Sequence, residues 1–319
     1  MIKKILAGIG ILAITIISVQ AVQEDPVSKS QSEKQEKQAK DENTLVHDYN
    51  VYAIPTPDKI DFAGEPVPIK DHDIRERMDR ELLVNTYWQS NGLLLIKRAH
   101  KYFPIIEPIL KERGIPDDFK YLAVIESGLT QAASPAGARG FWQLLPHTGR
   151  ELGLEVNDNV DERYNIELAT YAACDYLEHS KELFGTWTLA AAAYNAGNTG
   201  ILRRLGEQNV TDYYDLLLGE ETGRYVFRIL ALKEILKDPA KFGFNFEEKD
   251  LYYQVPTYEV EVDTVVNDFV TFAEGFDINY KILKLQNPWL REDHLNNASH
   301  KLYKIKIPKK GYYHVSLDE

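Results

Sequence analysis

The feature that most constrains the fold is a helical repeat that runs from about residue 71 to residue 239. Apolar side chains recur at steps of three and four, and clusters of glycine, proline and aspartate divide the repeat into separate segments. Short amphipathic helices of this kind bury their apolar faces only by packing against one another. The pattern therefore predicts a mainly α-helical domain over residues 71–240.

The pattern changes after Pro239, where alternation with a period of two replaces the helical repeat. Residues 255–262 and 302–307 carry β-branched and aromatic side chains at alternate positions, which is typical of half-buried strands. Two short helical segments fit between these strands. We therefore predict a small α+β unit with the order β-α-α-β over residues 250–310, after the larger helical domain.

The beginning of the chain has the composition of an export signal. Lys3 and Lys4 precede an apolar stretch over residues 5–19, and Val19-Gln20-Ala21 is a small-residue cleavage pattern. An uncleaved membrane anchor is the alternative, although the stretch is shorter than the roughly 20 residues of a spanning helix. We predict that residues 1–21 direct the protein to the periplasm or cell envelope, released or held at the membrane.

Residues 22–70 form a predicted tether between this signal and the helical domain. Up to about residue 43 the segment is rich in Gln, Glu, Lys, Ser and Asp, with too little apolar surface to offset the entropy of ordering. Four prolines, at positions 55, 57, 66 and 68, then exclude a regular helix. We expect an extended tether here and a folded domain from about Asp71.

Charge and residue content exclude several classes of function. The formal net charge of -12 argues against nucleic acid as a partner, because that binding needs a basic surface. Cys174 is the single cysteine, so the chain has no internal disulfide. The sequence contains no glycine-rich phosphate loop, metal-ligand cluster or Ser-His-Asp arrangement. We predict a monomer without a metal or a cofactor.

One carboxylate stands out in the helical domain. Phe119, Leu122, Ala123 and Glu126 share one face of a helix, which places the Glu126 carboxylate within an apolar stripe. Burial disfavours the charged form of a carboxyl group and raises its pKa, so the group can hold a proton to donate. The alternative is a structural glutamate that reaches solvent or pairs with an arginine such as Arg139.

Three further motifs follow along the chain. The sequence Gly-Phe-Trp-Gln stands at residues 140–143, Ala-Tyr-Asn-Ala-Gly at residues 193–197, and Glu-Thr-Gly-Arg-Tyr-Val at residues 221–226, where it opens a helix. Phe141 or Trp142 could stack on a sugar ring, although for Trp142 a role as an aromatic anchor of the core is the favoured interpretation. Gln143 has the donors and the acceptor needed to bind an acetamido or hydroxyl group.

Together with Glu126-Ser127, these motifs resemble the family 1 lytic transglycosylases in composition, order and spacing. The resemblance covers about residues 75–240 and is greatest to the membrane-bound lytic murein transglycosylase D branch, which has a similar tryptophan-containing second motif. Phe141 stands where the family usually has leucine. The C-terminal unit resembles the lysin-motif (LysM) modules of that branch only weakly.

The resemblance implies a lysozyme-like fold and a peptidoglycan substrate. Glu126 would protonate the oxygen between N-acetylmuramic acid and N-acetylglucosamine, and would then accept the proton of the muramic C6 hydroxyl as a 1,6-anhydro product forms. Tyr225 would orient the Glu126 carboxyl. The groups that would position the sugars are those of Ser127, Gln143, Tyr194 and Asn195.

Two rival functions remain open at this stage. A hydrolytic muramidase similar to goose-type lysozyme would use the same acid with water as acceptor, and Asp158, Asp161 and Glu162 are candidates for its second carboxylate. A wall-binding protein that has lost catalysis is the other rival. The intact motif residues argue against it.

Overall fold

The structure is a computed structural model that describes residues 50–314. The predicted signal segment and residues 22–49 of the predicted tether lie outside the described residues. From Ala53 onward the chain forms one compact unit. The α-helices of the described part are α1 (His72–Tyr87), α2 (Gln89–Glu112), α3 (Lys120–Ser127), α4 (Pro146–Glu151), α5 (Ile166–Phe184), α6 (Trp187–Ala196), α7 (Asn198–Gln208), α8 (Glu220–Lys237), α9 (Phe269–Glu274) and α10 (Tyr280–Gln286).

Strands contribute little to the larger domain. A short hairpin pairs β1 (Asp61–Phe62) with β2 (Glu65–Pro66), and near the C-terminus β3 (Thr257–Val262) pairs with β4 (Tyr303–Pro308) in antiparallel register. Within residues 50–314, every helix is too short or too polar to cross a membrane.

The centre of the helical domain is built around α6. Its residues Ala190, Ala191, Ala192 and Ala193 are fully buried, and their small side chains let α5 and α8 pack closely on either side. The α6 helix begins where the Thr186 hydroxyl accepts a hydrogen bond from the Leu189 amide. The prediction of a mainly helical domain is confirmed.

The short helix α3 lies inside this domain. A 3-10 turn (Asp117–Phe119) leads into it, and Tyr121, Leu122 and Ala123 are buried along its length. The helix ends at Gly128, whose backbone has a φ of 60° and whose amide donates a hydrogen bond to the Val124 carbonyl. Glu126 therefore stands in the last turn of a helix that is surrounded by the core.

The extended segment before α1 differs from the expected tether. Phe62 is fully buried, and the Glu65 carboxylate accepts hydrogen bonds from the backbone amides of Trp187 and Thr188 at 2.6 and 2.8 Å. These amides belong to the first turn of α6, where a negative charge is favoured. The packed part of the chain therefore begins before Asp71, because the apolar residues between the prolines find a partner that the sequence does not show.

The C-terminal unit has the predicted β-α-α-β order: β3, α9, α10 and β4. In β4 the side chains of Tyr303, Ile305 and Ile307 are buried while Lys304 points outward, as the alternating pattern predicts. These strands and helices form a second apolar core. Two residues of the helical domain, Val160 and Tyr164, belong to that core as well.

Candidate active site

Glu126 is the centre of the candidate site. Its carboxylate accepts a hydrogen bond from the Tyr225 hydroxyl, which α8 brings to the last turn of α3. The pKa of Glu126 is raised to about 7: burial is the main cause and the charge of Glu221 adds to it, whereas the Tyr225 hydrogen bond and Arg228 lower the pKa. The carboxyl can therefore hold a proton near neutral pH.

Tyr225 serves only as a donor to this carboxylate. The residue is 1 % exposed, and burial together with the neighbouring Glu126 raises the pKa of its phenol well above the usual value of 10. A phenol that stays protonated can hold one oxygen of the carboxyl in a fixed direction. The hydrogen bond expected between Tyr225 and Glu126 is present.

Two arginines hold the end of α3, and the sequence analysis predicted neither. Arg228 donates from Nη2 to the Ile125 carbonyl at 3.1 Å, and Arg98 donates from Nη1 to the Gly128 carbonyl at 3.1 Å. Guanidinium groups at a helix C-terminus satisfy the last carbonyls and complement the helix dipole. Arg228 follows Tyr225 by three residues on α8, so helical spacing was the one signal that could have indicated it.

The first pair of predicted sugar-binding residues makes local backbone contacts. The Ser127 hydroxyl donates to the Ala123 carbonyl at 3.1 Å, one turn back in α3. Gln143 has a φ of 48°, and its side-chain nitrogen Nε2 donates to the carbonyls of Ala132 and Gly140 at 3.1 and 2.8 Å. Gln143 thus braces the loop that carries it, a role that the sequence analysis did not predict.

Tyr194 and Asn195 lie at the end of α6, close to the other motifs. The Tyr194 hydroxyl donates to the Trp142 carbonyl at 2.7 Å. Burial raises the pKa of Tyr194 well above 10, and the charge of Glu126 adds to this increase. Tyr194 therefore lies close enough to Glu126 for the two groups to interact electrostatically. Its hydrogen bond to Trp142 connects α6 to the Gly-Phe-Trp-Gln loop.

The side-chain amide of Asn195 connects the end of α6 to the start of α8. Its Oδ1 accepts a hydrogen bond from the Thr222 hydroxyl at 2.8 Å, and its Nδ2 donates to Glu221 Oε1 at 3.3 Å. Thr222 and Glu221 both come from the motif that carries Tyr225. The structure thus brings the four sequence motifs together around one carboxyl group.

Several candidates from the sequence lie elsewhere. Phe141 and Trp142 are buried, and the Trp142 indole donates to the Thr170 hydroxyl at 2.8 Å inside the core, so they are core anchors and do not stack on a sugar. Arg139 does not pair with Glu126, because its guanidinium donates to the carbonyls of Ser134 and Ala138.

The proposed second carboxylates serve other partners. Asp161 forms a two-pronged pair with Arg163 at 2.8 and 2.7 Å, and Glu162 pairs with Lys301 of the C-terminal unit at 2.7 Å. Asp158 lies on an exposed loop. Glu221 is instead the carboxylate whose charge acts on Glu126, and the sequence analysis had considered it only as a helix-opening residue.

Comparisons with known proteins identify two domains in the chain. The transglycosylase SLT domain family matches residues 103–216, a range that contains Glu126, Gln143, Tyr194 and Asn195 and stops before Tyr225. The soluble lytic transglycosylase C-terminal LysM-like domain family matches residues 258–311.

Individual relatives agree with this assignment. The chain is 32% identical over 198 residues to membrane-bound lytic murein transglycosylase D of Escherichia coli (strain K12), which is 59% of this chain and 43% of that protein. It is also 30% identical over 110 residues to a putative tributyltin chloride resistance protein of Alteromonas sp. (strain M-1), covering 34% of this chain and 53% of that one. The chain spans about half or less of the length of these relatives.

Among solved structures, an inactive mutant of the lytic transglycosylase Slt from Pseudomonas aeruginosa is similar at 21% sequence identity with a TM-score of 0.38, over 48% of this chain and 26% of that one.

The domain matches and the geometry of the four motifs lead to one assignment. The chain carries a transglycosylase SLT domain followed by a LysM-like domain of the soluble lytic transglycosylase C-terminal type.

Proposed function

We propose that this protein is a peptidoglycan lytic transglycosylase and that Glu126 is its catalytic acid and base. The observation that carries the proposal is a carboxyl whose pKa is raised to about 7 by burial and whose direction is set by the Tyr225 hydroxyl. Such a group can donate a proton near neutral pH and can accept one after it has ionised.

The reaction needs one protein carboxyl. Protonated Glu126 gives its proton to the oxygen between N-acetylmuramic acid and N-acetylglucosamine, the C1–O bond breaks, and the N-acetylglucosamine end leaves as an alcohol. The acetamido oxygen of the muramic residue stabilises the positive C1. The Glu126 carboxylate then removes the proton of the C6 hydroxyl as O6 bonds to C1, which restores the protonated acid and consumes no water.

The remaining motif residues have positioning roles in this proposal. In this proposal the hydroxyls of Ser127 and Tyr194 and the side-chain amides of Gln143 and Asn195 would bind sugar hydroxyls and acetamido groups. Their observed hydrogen bonds to the backbone, to Thr222 and to Glu221 hold them in place before substrate arrives. Arg228 stabilises the ionised form of Glu126 between the two proton transfers.

A hydrolytic muramidase is the second candidate function, and one observation favours it. Glu221 is exposed, its charge acts on Glu126, and its Oε1 is held by Asn195, so this carboxylate could activate a water molecule. In that case the loss of Glu221 would abolish cleavage. In a transglycosylase the loss of Glu221 would shift the pH profile and leave cleavage intact.

The test is mass spectrometry of muropeptides released from purified peptidoglycan in ¹⁸O-labelled water. A transglycosylase gives unlabelled anhydro products, because no water is consumed; they are about 20 Da lighter than products hydrolysed in the labelled water, and about 18 Da lighter than products hydrolysed in ordinary water. Glu126→Gln should release nothing, while the exposed substitution Glu182→Gln should behave as wild type. Labelled reducing ends would support the hydrolase, and wall binding without products would support a non-catalytic protein.

We further propose that the protein works in the cell envelope, where peptidoglycan lies. The Escherichia coli relative is, by its name, a membrane-bound protein. Fractionation of cells into membrane, periplasmic and cytoplasmic pools, followed by detection of this protein, tests the location. Recovery in the cytoplasmic pool would contradict it.

A further inference from the structure

We propose that the LysM-like unit is a positioning element of the active site, which acts through the segment of residues 155–164, named here the clamp segment. The clamp segment lies between the C-terminal unit and the loop of residues 131–144, named here the active-site loop. This inference rests on the proposed function, because the active-site loop carries the Gly-Phe-Trp-Gln motif.

The C-terminal unit and the clamp segment share one apolar core. Val160 is 1 % exposed and packs with the buried residues of the LysM-like unit, as does Tyr164. Val160 also forms an antiparallel bridge with Leu290. A buried core with a backbone bridge joins the two parts as closely as the elements of one domain. A flexibly tethered wall-binding module would have no such shared core.

Backbone hydrogen bonds extend this junction on both sides of the bridge. The Asp161 amide donates to the Trp289 carbonyl at 2.9 Å, and the Arg291 amide donates to the Asn159 carbonyl at 2.9 Å. The Asn159 side chain also donates to the His294 carbonyl at 2.9 Å. The clamp segment is thus hydrogen-bonded to the C-terminal unit on both sides of an isolated β-bridge, although it belongs to the helical domain in the chain.

Charged side chains fix the same junction. Lys301 Nζ donates to Glu155 Oε2 at 2.8 Å and to Glu162 Oε1 at 2.7 Å, and the Tyr303 hydroxyl donates to Glu155 at 2.9 Å. Glu162 is 6 % exposed, so its charge depends on these partners and on the Glu155 amide. The C-terminal unit therefore supplies Lys301, the cation that stabilises the buried Glu162 carboxylate of the clamp segment.

On its other side, the clamp segment supports the active-site loop through Arg163. The guanidinium is held by both oxygens of Asp161, and its Nη1 donates to the carbonyls of Gly137 and Leu144 at 2.9 and 3.0 Å. A planar fork can serve all of these acceptors at once, which an ammonium group cannot. Arg163 is the positioning residue that joins the middle and the end of the loop.

The loop also touches the clamp backbone directly. Gly140 has a φ of 76°, and a Cβ at this position would lie 2.0 Å from the Arg163 carbonyl oxygen. The Gln131 side chain donates to the Tyr164 carbonyl at 2.8 Å. Since Gln143 is in turn hydrogen-bonded to Gly140, a shift of the clamp segment moves the amide that the proposed function assigns to sugar binding.

The experiment loosens the junction without touching the active site. The double variant Lys301→Met, Tyr303→Phe keeps the apolar bulk and removes the hydrogen bonds to Glu155 and Glu162. Lys304→Met is the matched control, because Lys304 lies on the same strand and pairs with Glu259 inside the C-terminal unit. Hydrogen exchange followed by mass spectrometry, together with kcat and KM on soluble glycan strands, is measured for the full chain.

We expect amide exchange in residues 131–144 to become about fivefold faster in the double variant, with exchange in α5 and α8 unchanged. We also expect kcat to fall about fivefold while KM changes by less than about twofold, because the loop is mispositioned but present. Arg163→Lys should lower kcat in the same way in protein that is folded by circular dichroism. The control should match wild type in all measurements.

Two results would overturn the inference. One is faster exchange confined to residues 155–162 with an unchanged active-site loop and unchanged kcat. The other is an equal effect of the control variant. If wild type shows no transglycosylase activity, the proposed function fails, but the exchange of the active-site loop still decides whether the LysM-like unit controls it.

Discussion

The pKa of Glu126 makes a prediction about folding stability that needs no substrate. Glu126→Gln replaces the carboxyl with a neutral amide of nearly the same shape, whose oxygen can still accept the Tyr225 hydrogen bond. Burial raises the pKa of Glu126 from the ordinary value of 4.5 to about 7. Each pKa unit corresponds to about 1.4 kcal/mol, so ionised Glu126 costs the folded state about 3 kcal/mol.

The sign follows from proton binding. Below pH 4.5 the folded and unfolded states both hold the proton, and the variant and wild type should be about equally stable. Between pH 4.5 and 7 the folded state holds more protons than the unfolded state, so wild-type stability falls as the pH rises. Above pH 7 the variant should therefore be more stable than wild type by about 3 kcal/mol, which corresponds to about 5 °C in Tm.

The measurement is urea unfolding of wild type and Glu126→Gln at several pH values between 4 and 8.5, with Glu182→Gln as control. Glu182 is exposed near the end of α5, so its substitution should leave the stability difference close to zero at every pH. A difference between Glu126→Gln and wild type that stays constant with pH would refute the reasoning. So would a wild type that gains stability relative to the variant as the pH rises.

Two further predictions concern the same site and its loop. Tyr225→Phe removes a hydrogen bond that lowers the pKa of Glu126, so the alkaline limb of the pH–activity profile should move above pH 7. Glu221→Gln removes a charge that raises the same pKa, so the alkaline limb should move below pH 7. Shifts of both variants in the same direction would contradict the assignment of Glu126 as the acid. Gly140→Ala should destabilise the fold by about 3 kcal/mol or more in thermal unfolding, because the new Cβ would collide with the Arg163 carbonyl. Gly153→Ala should destabilise it by only about 1 kcal/mol, because Gly153 has a similar positive φ but open space around the Cβ position. Equal losses of stability would show that the backbone conformation alone matters.

Local patterns were sufficient to predict most elements of this protein, though not the short hairpin of β1 and β2. The period of three and four residues predicted the helices, and the alternation over residues 302–307 predicted the strand that the structure shows as β4. Gly128 marked the end of α3 because a left-handed residue ends a helix at low cost. The apolar face around Glu126 predicted its burial, and the family resemblance predicted that Tyr225 would contact it.

Some questions had more than one answer in the sequence. The sequence favoured a core role for Trp142 but left a sugar-stacking role open, and its burial beside Thr170 decided for the core. Glu162 was a loop carboxylate with no identified long-range partner, and only the position of Lys301, far away in the chain, showed its role. Composition cannot separate such alternatives, because each depends on which distant residue comes within hydrogen-bonding distance.

The sequence by itself determined the helices and the strands β3 and β4, since these depend on periodicity within a few turns, and its family resemblance indicated Glu126 as the central carboxyl. The tertiary structure decided the surroundings of that carboxyl: burial raises the pKa of Glu126, Tyr225, Arg228 and Glu221 adjust this pKa, and Arg163 supports the neighbouring loop. It also decided that Phe62 packs into the helical domain and that the LysM-like unit shares a core with Val160. These contacts join residues that are distant in the chain, and no local repeat records which apolar face or which charge will meet another after folding.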